Sequence, residues 1–202
     1  MARKTKQEAE RTRLAIMDST LAVLTEEGLA KTTMSKVASH AGVTRGAIYW
    51  HFEDRDALLQ AMFEQVFAPA TSLFDSIETA QGDALRELLL KIAQYFVESV
   101  LHDKKVQQVI KVTMQWLSDQ ELLLKNRAQR CEENKKLNKV MMSLKQQGIL
   151  NPGLTSSAAC LVYNSFICGA LEQWVTLPES LKQDDIPSLI QALDRALFVQ
   201  AA

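Results

Sequence analysis

Between residues 44 and 55 the chain gathers side chains suited to gripping a polyanion: Thr44, Arg45, Tyr49 and Arg55. An arginine can reach guanine O6 and N7 together, which reads one base pair in a major groove. Threonine and tyrosine hydroxyls suit phosphate oxygens. Arg45 and Tyr49 are four residues apart, so on a helix they share a face. Gly46 lies between them and lets a backbone approach DNA closely. Upstream, Arg3, Lys4, Lys6, Arg11 and Arg13 face only Glu8 and Glu10, a local basic excess that could reach a neighbouring phosphate or minor groove.

This chemistry is recognition rather than bond making. The chain has no nucleophile elbow, HExxH helix, P-loop or dinucleotide fingerprint, so no enzyme activity is expected. His40 and His51 have no neighbouring ligand set, and Cys131, Cys160 and Cys168 include no CxxC pair. No metal site, cofactor or disulfide framework is therefore expected. Cys160 and Cys168 lie two helical turns apart and read as small apolar residues.

The elements that must carry these residues are helical. Thr33 can cap a short helix ending near Ala41, Gly42 supplies a left-handed turn, Thr44 caps a second short helix ending near His51, and Asp54 caps a third. Ala38 is small enough for the first two to cross closely, and Val37, Val43, Ile48 and Phe52 form an apolar seam. That is a helix-turn-helix, packed on a preceding helix over about 8–27. Trp50 fits either the core or a DNA contact. Downstream, a helix from Asp54 containing Pro69 should kink or break, and helices are expected over about 84–101, 104–117, 119–147, 155–176 and 186–200.

Composition agrees. Seven Gly and four Pro in 202 residues are too few for the turns of a β-sandwich or barrel, so an all-α fold is expected. The 23 Lys and Arg nearly balance 24 Asp and Glu, which leaves only local basic patches for nucleic acid. No apolar run is long enough for a membrane span, and the charged N-terminus lacks a signal-peptide core, so a cytoplasmic protein is expected.

The run Ala41-Gly42-Val43-Thr44-Arg45-Gly46-Ala47-Ile48-Tyr49-Trp50-His51-Phe52, followed by Arg55 and Leu58, resembles the N-terminal signature of the TetR family of transcriptional regulators. The opening residues 2–9, with Thr12 and Arg13, are similar to the AcrR/TtgR-like efflux-repressor branch. The strong likeness covers about the first 60 residues. Farther on it is one of layout, with Gly169 and Trp174 near the end of the eighth helix. The resemblance implies about nine helices: a DNA-binding domain over 1–55, and a ligand-binding and dimerisation domain over 56–202. It implies DNA contacts at Thr33, Thr44, Arg45, Gly46, Tyr49, Trp50, His51 and Arg55. Many relatives carry Lys at the last of these, and Arg keeps its charge.

The same resemblance implies a repressor of a multidrug efflux system that binds a palindromic operator as a homodimer and leaves it when a small hydrophobic inducer binds. The pocket would lie between the fourth and eighth helices. Phe67, Phe96, Met114, Trp116 and Phe166 supply apolar wall material, although each also suits an ordinary helical core. Gln107, Lys111 and Cys168 stand where related pockets carry polar groups. Relatives have an acid near Cys168; its absence would count against cationic ligands, and Lys111 would favour anionic or phenolic ones. Leu161, Phe166, Leu171, Trp174, Leu193, Leu197 and Phe198 exceed what one helix face needs, which points to a homodimer through the last two helices. A DNA-binding or interaction protein of the same fold without an inducer is the alternative, and the two differ in whether small apolar compounds raise the melting temperature.

Overall fold

The structure is a computed structural model that describes residues 2–77, 79–117 and 120–200. Within these, the side chains of 2–5, 70–72, 115–117 and 120–130 lie outside the described set. Trp116 and the basic residues Arg3 and Lys4 are therefore among the side chains not described. The described residues form ten α-helices, three short 3-10 turns and no strand; one isolated antiparallel bridge joins Leu150 to Phe198. The all-α expectation is met, with one helix more than the nine foreseen.

The chain divides into two compact units, Met1–Ala68 and Pro69–Ala202. The expected division at 55/56 falls too early, because α4 (Arg55–Val66) packs on α1 (Ala2–Glu27) and belongs to the first unit. Leu58, Leu59 and Met62 of α4, and Ile16, Met17, Leu21, Val23 and Leu24 of α1, are buried. Helix α1 begins six residues earlier than its apolar pattern suggested. Residues 6–8, 10 and 11 are exposed, so that stretch carries no inward stripe to announce a helix.

The extra helix comes from the segment around Pro69. Helix α4 ends at Val66, with the Phe67 N–H on the Phe63 carbonyl (3.0 Å), and α5 (Ala68–Ile77) begins at once. Pro69 is the second residue of α5, where its missing N–H costs nothing, while its ring excludes a continuous helix through Gln65.

In the second unit, α6 (Gly82–His102), α8 (Gln120–Gln146), α9 (Ser156–Thr176) and α10 (Ile186–Leu197) enclose the core, and α7 (Lys104–Leu117) flanks it. Leu85, Leu89, Met141, Leu144, Tyr163 and Phe198 are central to that core. The Tyr163 hydroxyl donates to the Leu89 carbonyl (2.8 Å), so the buried phenol is satisfied. The same burial pushes the phenol far above its ordinary titration range.

Helix α10 ends at Leu197 rather than near 200. There the chain turns extended: the Asn151 N–H donates to the Leu197 carbonyl (2.8 Å) and the Val199 N–H to the Ile149 carbonyl (2.9 Å). The structure also corrects the account of surplus apolar surface. Leu171, Trp174, Leu193, Leu197 and Phe198 are buried within the single chain, and Phe166 is half-buried. Of the group only Leu161 is exposed, at 68%.

Candidate functional site

The helix-turn-helix consists of α2 (Met34–His40) and α3 (Arg45–His51), and local chemistry sets both ends of each. Thr33 Oγ1 accepts the Lys36 N–H (3.3 Å) and Thr44 Oγ1 accepts the Ala47 N–H (3.1 Å), so both threonines are N-caps. Gly42 adopts φ +66° between the helices, which an L side chain would resist. Asp54 Oδ1 accepts the Ala57 N–H (2.8 Å) and starts α4. A Lys36–Glu27 ion pair ties α2 to the end of α1, and the ammonium holds the Glu27 carboxyl below the usual carboxylate range.

These ends hold α3 with one face in and one face out. Ile48 is fully buried, and Val37 and Phe52 join it in the seam, while Val43 is half-buried. The outward face carries Thr44, Arg45, Gly46, Tyr49 and Trp50, all exposed. Tyr49 is 50% exposed and Trp50 73%, so Trp50 is a surface residue and not part of the core. No atom outside the immediate turn crowds Gly46: its nearest neighbour beyond the adjoining residues is Thr44 Oγ1, 3.9 Å from where a Cβ would stand.

Behind this face His51 is half-buried, with its ring edge-on to Trp50 (centroids 4.6 Å apart). Burial lowers its pKa, and the Arg13 charge lowers it further. The Arg13 guanidinium lies 5.2 Å from the centre of the Phe52 ring, which docks α1 against the end of α3. Arg55 is half-buried at the start of α4, with Nε 3.7 Å from Asp56 Oδ1. All eight residues foreseen as DNA contacts therefore lie on α2–α4 or their caps, and six of them, Thr33, Thr44, Arg45, Gly46, Tyr49 and Trp50, are exposed.

Of the seven foreseen ligand residues, two line a common cleft. Met114 and Cys168 share a cleft of about 350 Å³, completed by Glu172, Val175 and Thr176. The other five are not among the described residues that line it. Gln107 donates through Nε2 to the Val100 and Leu101 carbonyls (3.0 and 3.3 Å) and so closes the end of α6. Lys111 is exposed, its ammonium 5.3 Å from the centre of the Trp174 ring. Phe96 packs with Phe74 and Tyr95, and Phe166 packs against the core. Phe67 caps α4 in the first unit.

Sequence reasoning missed Glu172. An acid does stand near Cys168, one turn farther along α9, and it lines the cleft while Lys111 does not. Four-residue spacing from Cys168 was the available signal.

The family model for bacterial regulatory proteins of the tetR family matches residues 16–62, the span from the buried part of α1 through α4. The chain belongs to the TetR family. As a TetR-family regulator it is 29% identical over 191 residues to the transcriptional regulator AcrR of Shigella flexneri, covering 89% of this chain and 86% of that one. It is 27% identical to TtgR of Pseudomonas putida, covering 90% and 88% respectively. Among solved structures it is similar to NalD of Pseudomonas aeruginosa, described as the secondary repressor of the MexAB-OprM multidrug efflux pump. That match has a TM-score of 0.79 and 26% identity, and covers 96% of this chain and all of the other. The chain thus falls in the AcrR- and TtgR-like branch of the TetR family.

Proposed function

We propose that this TetR-family chain is a repressor that binds a palindromic operator as a homodimer and releases it when a small, largely apolar molecule occupies the C-terminal unit. The observation that carries the DNA-binding part is the outward face of α3. A surface exposing a tyrosine, a tryptophan and an arginine over a fully buried Ile48 gains nothing from folding and suits insertion into a major groove. Repression of an efflux system is supported by the full-length likeness to NalD.

The dimer is supported by Leu161, which stands exposed on α9, and by α10, whose outward residues Ala192 and Ala196 are small enough for close helix approach. Ligand response is supported by the cleft around Met114, Cys168 and Glu172, and by the direct passage of α4, which bears Arg55, into α5 of the second unit. To weaken operator binding a hundredfold, a ligand must favour the non-binding state by roughly 2.7 kcal/mol.

The test is selection of bound fragments from the host genome, then titration of the best fragment at two salt concentrations, with and without a panel of apolar compounds. A palindromic site, steep salt dependence and release by at least one compound are expected. Failure to enrich any site would overturn the operator reading. An enriched site that no compound loosens would overturn induction alone.

A further inference from the structure

The chain has three histidines, His40, His51 and His102. His40 and His102 are exposed, and His102 Nε2 shares a 2.7 Å hydrogen bond with Gln183 Oε1 in the second unit. His51 is the half-buried one, as the last residue of α3, with its ring edge-on to the exposed Trp50. Helix α1 sets two charges near it: Arg13, half-buried, and Glu10, exposed and one turn earlier. Helix α2, which also packs on α3, carries Lys36, paired with Glu27, and His40 at its end. Beyond Phe52, Glu53 is exposed, Asp54 accepts the Ala57 N–H, and Arg55 stands beside Asp56.

The Arg13 charge has a defined place. Its guanidinium lies 5.2 Å from the centre of the Phe52 ring, next in sequence to His51, so the ring face holds it there. Partial burial and this cation both favour the neutral imidazole, and together they outweigh Glu10, which favours the charged one. The ring is therefore uncharged at neutral pH, yet close to the range where histidine changes charge. Bringing phosphates to the outward face of α3 opposes that balance, because added negative charge favours the imidazolium. Binding that raises a group's hold on a proton must itself strengthen as protons become available. Affinity then rises as pH falls through the bound ring's pKa and levels off below the free ring's. The gain is up to about tenfold for each pH unit between the two.

We propose that the His51 imidazole takes up a proton when the outward face of α3 meets DNA, and that Arg13 is a positioning residue that keeps the ring neutral until then. Arg13 acts through its neighbours: its guanidinium docks on Phe52 and its charge bears on His51. The pair makes operator affinity respond to acidity, so that a fall in pH tightens binding with no change in inducer. This deepens the operator reading and rests on it, since the proton is taken up only where α3 docks on DNA.

The test takes two readouts on the full-length chain. Proton NMR follows the ring signals of the three histidines against pH. His40→Gln and His102→Gln, both at exposed positions, identify the other two signals and leave that of His51. In the free parent the His51 midpoint should lie below about 6.5, and a saturating DNA duplex should raise it. Arg13→Gln should raise the free midpoint, whereas Arg13→Lys, which keeps the charge, should hold it near the parent's. Fluorescence anisotropy then measures affinity for the selected operator at pH 6, 7 and 8 and fixed ionic strength. The parent should tighten roughly fivefold or more from pH 8 to pH 6. His40→Gln should keep that slope and His51→Gln should lose it. A merely structural Arg13 would lower affinity equally at every pH and leave the His51 midpoint in place. An unmoved midpoint in Arg13→Gln, a DNA-bound midpoint no higher than the free one, or one pH slope shared by the parent and His51→Gln would each overturn the proposal. Absence of DNA binding at every pH would instead overturn the repressor reading beneath it, an outcome told apart by the binding curves themselves.

Discussion

Tyr49 and Arg45 stand one turn apart on α3 and are exposed, so the fold does not require their side chains. Replacing either with alanine should therefore leave the melting temperature within about a degree of the parent. Each loss of a good base or phosphate contact should cost about 1–3 kcal/mol of operator binding, or roughly 5- to 150-fold in affinity. Fluorescence anisotropy on the selected operator at fixed salt reads this, and unchanged affinity in both variants would remove α3 as the reading helix. Thr44→Ala differs in kind. Its hydroxyl caps α3 through the Ala47 N–H, so that variant should lose about 1 kcal/mol of stability as well as operator affinity. In the cleft, Glu172 is the one acid among the five lining residues. Glu172→Gln should weaken a cationic apolar ligand relative to its neutral analogue, as seen in the ligand-dependent shift of melting temperature.

At the scale of elements, the C-terminal end of the chain is held by one bidentate pair. Arg86 on α6 donates from Nε and Nη2 to the two carboxylate oxygens of Asp194 on α10, at 2.7 Å each, and from Nη1 to the Val199 carbonyl (3.1 Å). The hydrogen bonds from Arg86 hold the Asp194 carboxyl below its ordinary range. A carboxylate depressed by folding adds stability that is fully present above its unfolded pKa, and that stability is lost as pH falls through the folded value. Asp194→Asn should thus destabilise the chain at neutral pH by about 1–3 kcal/mol and flatten the acid limb of a plot of melting temperature against pH.

None of this anchor was legible in the sequence, because its partners are 108 residues apart and no local pattern relates them. The caps were legible. Thr33, Thr44 and Asp54 each precede a helical run, and each accepts the expected N–H. The outward face of α3 was also legible, because its spacing is local. The cleft was not: Gln107 and Lys111 were placed by position alone, and a side chain's choice between a carbonyl, a ring and a ligand is made by tertiary neighbours.

At the scale of the whole molecule, a single chain has one α3 to offer, and one helix in one groove reads only a few base pairs. A two-fold pair reads two half-sites, so affinity for a palindrome should depend on whatever joins the copies. Most of the apolar residues that suggested an interface are already buried within the chain, which leaves Leu161, 68% exposed on α9, as the outward apolar residue of that group. A leucine so placed stabilises nothing in the monomer, but at a centre of packing its burial is worth about 1.5–3 kcal/mol for each copy. In the proposed dimer Leu161→Glu would set like charges against each other, so the variant should shift the chain to monomer in sedimentation at micromolar concentration. Operator affinity should fall by more than tenfold, while binding to non-specific DNA stays nearly unchanged because each α3 is intact. The parent's melting temperature should rise with protein concentration, as expected when assembly stabilises the fold, and the variant's should not. A Leu161→Glu chain that still sediments as a dimer would place the contact on another face, and the two-fold reading through α9 and α10 would fall with it.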